Sequence, residues 1–562
     1  MTEGKPTRRI VVIGGYGVFG GKLAVSLLRD NRFEVVIAGR NIEKAKAFCA
    51  MHGGHPSRID RSAPDFATTL AALTPFVTVD AAGPFQSYGK KTYAVAKAAL
   101  LCGSHYLDLS DDAKFTSGIS VLNETAIVAG KTALSGVSSV PALSSAAVEG
   151  LRENFSRLDL IESAILPGNQ APRGLSVIRA ILAQTGQPLS VFRDGSPDTV
   201  IGWSGLARRR LGPHDKTDLP PRWTNFIGAP DLALFPERYQ ARTVLFRAGL
   251  ELPVMHLGLW CLSWLTRLRL IRSLEPCAKI LLKIADWLKS FGSDRGGMEV
   301  RLAGLDREGA PLACRWTLIA QAGDGPYIPA VAAAILCRRL SENSVASGAR
   351  PCLGEFTLDD VTMATSHLKV RTFIDAETKP TLFQRALGPA FGDLPVAVQS
   401  LHTVFDRHLW YGEARVTRGK NMLGKLLCRI IGFPPQADKI PVSVTIDRRG
   451  DLEVWRRDFG GKVFKSVLSL SGIPGEGVVR ERFGLTAFDI NLQHKDGALT
   501  YPVKRGSVLG IPLPQWLLPV SETREYTERD RFHFDVRVSL PGLGELIHYA
   551  GWLEPNHSAV QR

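Results

Sequence analysis

The sequence predicts an α/β protein with a doubly wound parallel sheet, then an α+β second domain, then a mostly antiparallel β C-terminal domain. Three observations support this prediction. Short β-branched runs alternate with helical patterns of roughly ten to fifteen residues as far as about residue 135. The first of these runs breaks into a glycine loop, and apolar residues recur at every second position after about residue 380. The chain has 562 residues, which is long enough for roughly two to four domains.

The parallel sheet is expected to contain six strands, because each β-branched run is followed by a helical pattern. These strands cover residues 10–13, 33–40, 57–60, 76–80, 105–109 and 132–135. The helices that follow the second to fifth strands cover residues 42–51, 63–73, 90–101 and 113–122. Helical connections of this length favour parallel pairing of the strands.

Changes of pattern mark the other domains. Residues 298–302 and 315–320 alternate as the two strands of a hairpin would, and a segment rich in charge and turn residues, 375–380, follows them. The last part contains one expected helix, 422–431, and several strand-like segments, which include 442–446, 452–455 and 532–538. This part is expected to be an antiparallel sheet or an open barrel. The predicted domains are therefore 1–136, 137–375 and 380–556.

The glycine loop, residues 14–20, follows the first strand directly and opens into a helix with Leu23, Ala24 and Leu27 at helical spacing. Glycines let the backbone turn sharply and approach a ligand, and the helix start offers unpaired N–H groups to a diphosphate. The strand before the loop and the helix after it make this motif specific. The predicted diphosphate site is therefore this loop, with the backbone of Gly14, Gly15 and Gly17 close to the ligand.

The end of the second strand indicates which dinucleotide binds. A site that selects NAD usually places a carboxylate there for the ribose 2′-hydroxyl, but this chain has Gly39 and then Arg40. A guanidinium makes charge-assisted contacts with a phosphate, whereas a carboxylate would repel it. NADP(H) is therefore the predicted cofactor, with Arg40 and Asn41 at the 2′-phosphate. The alternative, which the sequence leaves open, is that Arg40 is a solvated arginine at a strand end.

Two more strand ends are candidates for the site, because ligands bind at the carboxyl ends of such strands. Gly83 and Pro84 end a buried strand and force a turn, so the backbone can pass close to the ribose or the nicotinamide. An ordinary strand stop is the alternative. Six side chains near these ends could exchange a proton with a substrate, namely Tyr88, His105, Tyr106, Asp108, Asp111 and Asp112. None receives a catalytic assignment, since Asp108 within a strand is more typical of a structural acceptor or a helix cap.

Composition excludes several classes of function. The net charge of +15 is compatible with nucleic acid, anionic lipid or an acidic substrate, but no nucleic-acid-binding motif accompanies it. We therefore expect no nucleic-acid partner. The basic residues are dispersed, apart from Arg208, Arg209 and Arg210. The eight cysteines lack metal spacing, which predicts no metal site and a reducing, cytoplasmic location. No signal peptide is expected, because no apolar h-region precedes the first strand.

The most apolar window, residues 252–266, is followed by Arg267, Arg269 and Arg272. It is too short to span a bilayer and holds a proline and a histidine. A peripheral membrane contact through 252–272 would have this pattern. A buried helix or a subunit interface would also have it, and these two are favoured because apolar runs of this length are more often core. A homodimer is therefore one of the expected assemblies.

Together, these motifs resemble the saccharopine dehydrogenase-like family of NAD(P)-binding Rossmann proteins over about residues 8–375. The matching segments are 14–20, 38–41, 80–86, 105–109 and 136–141. The resemblance implies an NAD(P)-binding oxidoreductase fold, and it makes Asp60 an adenine neighbour. The cofactor contacts that it implies are Gly14, Tyr16, Gly17, Val18, Phe19, Arg40, Ala82, Gly83 and Pro84. The family's catalytic residues do not carry over. The last part, from about 380, resembles an uncharacterised bacterial domain, which implies no activity.

The leading hypothesis is an NADP-dependent oxidoreductase that acts on a carbonyl, imine or enoyl group of an unidentified, lipophilic small molecule. The alternative is an NADP(H)-binding sensor or scaffold without turnover, whose C-terminal domain docks to a partner or a membrane surface.

Overall fold

The structure, a computed structural model, describes residues 7–89, 92–212 and 219–556. The first part alternates strands and helices as the sequence predicts. Its elements are β1 (Arg8–Ile13), α1 (Val18–Leu28), β2 (Phe33–Gly39), α2 (Ile42–His52), β3 (His55–Arg58), α3 (Phe66–Ala72), β4 (Val77–Asp80), α4 (Ala94–Leu101), β5 (His105–Asp108), α5 (Ala113–Gly118), α6 (Asn123–Val128) and β6 (Thr132–Ser135).

The middle part mixes long strands with helices. Its elements are α7 (Ser144–Arg152), β7 (Phe155–Leu166), α8 (Leu175–Gln184), β8 (Pro188–Arg193), β9 (Ser196–Ile201), β10 (Ala207–Arg209), β11 (Arg222–Phe226), α9 (Asp231–Tyr239), β12 (Thr243–Ala248), α10 (Pro253–Arg267), α11 (Ala278–Trp287), β13 (Gly296–Asp306), β14 (Pro311–Ala320), α12 (Ile328–Ser341), β15 (Gly348–Pro351), α13 (Leu358–Thr365) and β16 (Val370–Thr378).

The last part is mostly strands. Its elements are α14 (Leu382–Leu387), α15 (Val396–His402), β17 (Arg407–Arg418), α16 (Met422–Ile431), β18 (Ala437–Arg449), β19 (Leu452–Phe459), β20 (Lys462–Leu470), β21 (Val478–Phe483), β22 (Thr486–Asn491), β23 (Gln493–Lys495), β24 (Ala498–Thr500), β25 (Val503–Val508), β26 (Ile511–Pro512), β27 (Val520–Glu528), β28 (Arg531–Leu540) and β29 (Gly544–Pro555).

The parallel sheet has the strand order β15–β6–β5–β4–β1–β2–β3. The winding reverses between β1 and β4, which is where a doubly wound sheet opens a crevice for a ligand. Buried apolar residues on both faces hold the helices to it; examples are Val11 and Ile13 of β1 with Leu70 of α3. The predicted α/β class and the Rossmann order are confirmed.

Several element boundaries in this part differ from the prediction. β3 ends at Arg58, so Asp60 lies beyond the strand rather than at its end. The helix predicted over 113–122 stops at Gly118, and a short 3-10 turn separates it from α6. The predicted start of the helix over 90–101 lies outside the described residues, and α4 itself begins at Ala94.

The last strand of the parallel sheet, β15, comes from far along the chain. Gly348–Pro351 pairs in parallel with β6, from Gly348 opposite Thr132 to Pro351 opposite Ser135. This segment falls within the range 137–375 that the sequence predicts for the second domain. Four residues give too short a pattern for the period to be recognised.

The middle sheet is mixed, as an α+β domain requires, with the order β10–β11–β12–β7–β13–β14–β16. Of the three consecutive arginines 208–210, Arg209 lies in the interior of this part of the protein. It forms ion pairs with Glu162 and Glu299, which are both buried. Arg247 also pairs with Glu162 at 2.5 Å. Arg209 is therefore neutralised inside the protein and is not available to nucleic acid.

The C-terminal sheet is antiparallel, with the order β23–β24–β27–β28–β29–β17–β18–β19–β20–β21–β22–β25–β26. Alternate residues of its strands point into one core, where Phe383 of α14 and Val398 of α15 meet Trp410 and Phe459 of the sheet. The antiparallel prediction is confirmed, and α16 has the bounds predicted for the helix over 422–431.

The chain divides into two compact units. The first unit comprises residues up to 192, 197–302 and 314–376, and the second comprises 193–196, 303–313 and residues from 377 on. The parallel and mixed sheets thus belong largely to the first unit. The further division at residue 136 stays a prediction.

Among the described residues, no helix is both long and apolar enough to cross a membrane.

Candidate dinucleotide-binding site

One row of paired residues marks the carboxyl end of the parallel sheet. Ala38 of β2 lies opposite Ile13 of β1, Ile13 opposite Asp80 of β4, and Asp80 opposite Asp108 of β5. The segments that follow these residues therefore leave the sheet at the same end. Because ligands of doubly wound sheets bind outside the carboxyl ends of the strands, these segments form the candidate site.

The glycine loop turns tightly between β1 and α1. Gly14 has φ +81°, and a Cβ at this position would lie 2.8 Å from the Ala81 carbonyl oxygen, so only glycine fits without strain. A Cβ on Gly20 would overlap the carbonyl oxygen of Gly14. The Gly14 N–H donates to the Ala38 carbonyl at 2.8 Å, and the Gly17 N–H donates to the Gly14 carbonyl at 2.8 Å. The loop is thus a fixed backbone cradle.

The start of α1 completes this cradle. Gly17 is the N-cap residue and offers no side-chain cap to the helix, while Val18 beside it is exposed. The first N–H groups of a helix have no partner within the helix and lie at its positive end. The arrangement can therefore bind an anion such as a diphosphate.

Tyr16, Arg40 and Asn41 come together at the end of β2. The Tyr16 ring covers Gly39, since a Cβ on that glycine would lie 2.5 Å from ring atom Cε1. The Tyr16 hydroxyl oxygen accepts a hydrogen bond from the Asn41 N–H at 3.1 Å. The Asn41 side-chain oxygen caps α2 by accepting from the Lys44 N–H at 3.0 Å. The Arg40 side chain between them is exposed.

Asp60 lies close to the same strand end, although it follows β3 by two residues. The N–H of the preceding Ile59 donates to the Gly39 carbonyl at 3.0 Å. The Asp60 carboxylate is half-buried and accepts a hydrogen bond from the Ser62 N–H at 3.0 Å. This position suits the predicted role of an adenine neighbour.

A buried carboxyl group holds the segment after β4. Asp80 is fully buried and accepts hydrogen bonds from the Ala82 N–H at 3.0 Å and from the Tyr88 hydroxyl at 2.7 Å. Burial raises the pKa of Asp80, and the same burial together with the charge of Asp80 raises the pKa of Tyr88. Gly83 and Pro84 remain exposed above this anchor, joined by a cis peptide bond. The predicted close-approach segment is therefore accessible to a ligand.

Asp108 anchors the next two segments. Its Oδ1 accepts hydrogen bonds from the Ser110 N–H at 3.0 Å, the Gly136 N–H at 2.9 Å and the Ser135 hydroxyl at 3.0 Å. Within the described residues its other oxygen has no hydrogen-bond partner. Burial is the main cause that raises the pKa of Asp108 to about 7. The interpretation of Asp108 as a structural acceptor fits this geometry.

Most of the other candidates for proton transfer either form hydrogen bonds within the protein or lie away from the carboxyl end of the sheet. His105 begins β5 at the opposite end of the sheet, accepts a hydrogen bond from the Thr132 N–H, and has its pKa lowered to about 4 by burial. Tyr106 is buried within the strand, and Asp112 caps α5 by accepting from the Phe115 N–H at 2.7 Å. Asp111 is exposed at the carboxyl end, where the Gln86 amide donates to it at 3.4 Å. The catalytic group stays unassigned.

Sequence reasoning missed two features of this site. The Asp80–Tyr88 hydrogen bond fixes the segment after β4, and an aspartate at the end of a buried strand was the available signal. Cys352, directly after β15, is fully buried and donates its N–H to the Ser135 carbonyl at 2.9 Å. No local signal could have placed Cys352 there, since it lies more than two hundred positions from Ser135.

A second polar cluster, inside the C-terminal core, was also missed. The His402 Nε2 lies 2.7 Å from the Glu525 carboxylate, and the Tyr501 hydroxyl donates to the same carboxylate at 2.6 Å. The Phe383 ring stacks on His402 with centroids 3.6 Å apart. Burial raises the pKa of Tyr501 well above its usual range. This buried group joins α15 to the sheet, and within the described residues the His402 Nδ1 has no hydrogen-bond partner.

Metal binding has no support in residues 7–89, 92–212 and 219–556, where no group of three or more His, Cys, Asp or Glu side chains could hold an ion.

Two family models match the chain. Residues 10–134 match the saccharopine dehydrogenase NADP binding domain, and residues 394–553 match a domain of unknown function, DUF4166. No curated protein matches the chain.

Solved structures with a similar arrangement have low sequence identity. Saccharopine dehydrogenase (L-Glu forming) from Saccharomyces cerevisiae is 14% identical and has a TM-score of 0.48, over 65% of this chain and 100% of that one. A probable dehydrogenase from Thermotoga maritima is 10% identical with a TM-score of 0.33, over 63% and 93%. KijD10, a 3-ketoreductase from Actinomadura kijaniata in complex with NADP, is 13% identical with a TM-score of 0.28, over 64% and 94%.

The glycine loop, the strand order and the family match agree for the first part of the chain. Residues 10–134 therefore belong to the family described as the saccharopine dehydrogenase NADP binding domain, and residues 394–553 belong to a domain family whose function is unknown.

Proposed function

We propose that this protein is an NADP-dependent oxidoreductase that binds its cofactor at the carboxyl end of the parallel sheet. The observation that carries the proposal is the backbone cradle of residues 14–20, which ends at an uncapped helix start next to the exposed Arg40. The family match to an NADP binding domain over the same residues supports it.

The choice of NADP(H) over NAD(H) rests on charge. Arg40 is exposed at the end of β2, and the Tyr16 hydroxyl and the Asn41 backbone lie beside it. An arginine can form paired hydrogen bonds with a phosphate, and each hydrogen bond to a charged group stabilises by about 1.5–3 kcal/mol. Arg40 would bind the 2′-phosphate, and the side-chain NH₂ of Asn41 would assist it.

The remaining contacts follow from the cradle. The N–H groups at the start of α1, near Val18 and Phe19, would bind the diphosphate. Asp60 would lie near the adenine, and the exposed backbone of Gly83 and Pro84 would face the ribose and the nicotinamide. When bound there, the nicotinamide would supply or accept a hydride. Asp80 would act by holding the segment after β4 in position.

The proposed substrate is a small molecule with a carbonyl, imine or enoyl group, lipophilic in character, whose identity is open. A specific observation favours a second candidate function. Tyr88 donates its hydroxyl hydrogen to Asp80, and Asp112 caps the start of α5. Few proton-transfer groups are therefore available at the carboxyl end of the sheet. A sensor or scaffold that binds NADP(H) without turnover would need none.

Loss of the absorbance of reduced nicotinamide during incubation with a panel of carbonyl, imine and enoyl compounds tests the proposal. An oxidoreductase should oxidise NADPH with at least one compound, and its Gly20→Ala variant should not. Tight binding of NADPH without oxidation by any compound would instead identify the sensor. The cytoplasmic location and the homodimer stay predictions.

A further inference from the structure

Helix α10 buries polar side chains and exposes several large apolar ones, and helix α11 also exposes large apolar side chains. The buried residues of α10 are His256, Ser263 and Thr266, and those of α11 are two alanines. The exposed apolar patch of these helices and the turns after them consists of Val254, Trp264, Leu265, Leu268, Leu270, Ile280, Ile284, Trp287 and Phe291. A soluble helix normally has the reverse arrangement. The helix predicted for the window 252–266 is therefore buried only in part, and the subunit interface stays a prediction.

The buried polar residues explain why the apolar side faces outward. His256 accepts a hydrogen bond from the Leu250 N–H at 3.2 Å and contacts the side-chain oxygen of Asn225. Burial lowers the pKa of His256 to about 4, so the ring is neutral near pH 7. The Thr266 hydroxyl donates to the Thr185 carbonyl at 3.0 Å. These bonds attach the polar side of α10 to the domain and fix the opposite side toward solvent.

The number of large exposed apolar side chains in this segment indicates a binding surface, because nine of them lie between residues 254 and 291. Single exposed apolar residues are common on proteins, but groups of large ones mark interfaces with proteins or membranes. Trp264 and Trp287 are 42% and 74% exposed, and tryptophan is enriched where an apolar layer meets water. The core beneath is small, with Leu182, Leu274 and Ala278 as its buried members.

The charges around the patch indicate what covers it. Between residues 267 and 289, six cationic side chains accompany two acidic ones, Glu275 and Asp286. The cationic residues are Arg267, Arg269, Arg272, Lys279, Lys283 and Lys289. Lys279 and Lys283 are exposed next to Ile280 and Ile284, and the Arg267 guanidinium lies 4.2 Å from the centre of the Trp264 ring. If two copies of the protein paired through this face, the excess of positive charge on one copy would face the same excess on the other and repel it.

We propose that this apolar patch docks on the surface of a membrane that contains anionic lipids. The apolar side chains would enter the boundary between head groups and acyl chains, and the cationic ones would pair with lipid phosphates. α10 has 15 residues, and no helix among the described residues could span a bilayer, so the helices lie on the surface. The proposal does not depend on the dinucleotide site.

Co-sedimentation of the full-length protein with vesicles tests it. The probes are vesicles of phosphatidylcholine alone and vesicles of phosphatidylcholine with phosphatidylglycerol. We expect binding to the anionic vesicles, weaker at high salt because screening shortens the reach of the charges. The double variant I284S/W287S should bind at least about tenfold more weakly, since burial of each such side chain supplies enough free energy for that factor.

A control variant removes apolar side chains that are at least as exposed elsewhere on the protein. Met51 and Val128 are 78% and 89% exposed on α2 and α6, and M51S/V128S should bind vesicles as the wild type does. The variant K279Q/K283Q should lose the preference for anionic over neutral vesicles. The Tm of each variant, measured in parallel, reports that the fold is intact.

Two results would overturn the proposal. The wild type could fail to sediment with anionic vesicles, or I284S/W287S could bind them as well as M51S/V128S does. If the wild type ignores vesicles but forms dimers that I284S/W287S abolishes in analytical ultracentrifugation, the patch is a subunit interface instead.

Discussion

Arg40 is the side chain on which the proposed choice of NADP(H) over NAD(H) rests. It is exposed, and the backbone beside it is held by the Tyr16 hydroxyl and by the Asn41 cap of α2. The strand end is therefore rigid while the guanidinium is free to meet a phosphate. A rigid backbone reduces the entropy lost on binding.

Arg40→Glu should reverse the cofactor preference. The change removes a charge-assisted contact and introduces a carboxylate, so NADPH affinity should fall by about tenfold to a hundredfold while NADH affinity falls little or rises. Titration calorimetry with both nucleotides measures the two affinities. Arg29→Glu is the matched control, because Arg29 is equally exposed but follows the far end of α1. An equal loss in both variants would show a general charge effect and contradict the assignment.

Asp108 should make stability depend on pH. Its pKa is raised from 3.8 to about 7 in the folded protein, mainly by burial. Between these values the folded chain holds a proton that the unfolded chain has released. The stabilisation is therefore complete below about pH 4 and is lost as the pH rises through 7.

Asp108→Asn removes this titration while it keeps an oxygen for the Ser110 and Gly136 N–H groups. We expect the Tm of the variant to fall less between pH 5 and 8 than that of the wild type. Asp112→Asn serves as the control at a carboxylate that caps α5. Parallel Tm profiles for wild type and D108N would contradict the proposed state of Asp108.

The residues that the sequence could identify are those with a local signature. Gly14, Gly17 and Arg40 follow from their place in a strand–loop–helix pattern. The Tyr16 ring over Gly39 and the Asp80–Tyr88 hydrogen bond do not, because they depend on how two neighbouring strands end side by side.

At the scale of elements, the junction of β1 and α1 carries the most demanding geometry. Gly20→Ala would place a methyl group onto the Gly14 carbonyl, which is backbone and cannot move without opening the loop. We expect dinucleotide affinity to fall by more than about tenfold and the Tm to decrease. Gly21→Ala is the control, since its methyl group would meet the Phe48 side chain at 3.2 Å and would lie at an ordinary contact distance of 3.6 Å from the Gly15 carbonyl oxygen.

Calorimetry with NADPH and thermal melting compare the two variants. Equal affinities in G20A and G21A would mean that the close approach of Gly20 to Gly14 is not needed for binding.

Helix α10 shows that the hydropathy of a sequence window does not predict which side of a helix is buried. The window 252–266 is apolar in sequence, and apolar windows are usually core. The structure instead buries His256 and Thr266, because their hydrogen bonds to the domain decide which side faces inward. No hydropathy average contains that information.

At the scale of the whole molecule, alternating patterns predicted the class of each sheet but not its distant pairings. The first six strands of the parallel sheet and the antiparallel C-terminal sheet are confirmed. The pairing of β15 with β6, and of β17 with β29, joins segments more than a hundred residues apart. Such pairings depend on the assembled core rather than on a local period.

Dinucleotide binding should stabilise only part of the molecule, because every proposed contact lies in the first compact unit. A ligand at a hundred times its Kd stabilises the state that binds it by about 2.7 kcal/mol. Hydrogen exchange with and without NADPH should show added protection in β1, α1 and β4. Protection confined to β17–β29 would place the ligand elsewhere.

Calorimetric titration of the full-length wild type with NADPH and with NADH tests the central claim most directly. The account predicts saturable binding of one nucleotide per chain, with NADPH bound more tightly than NADH. Absence of heat with both nucleotides, from protein that melts cooperatively, would contradict it.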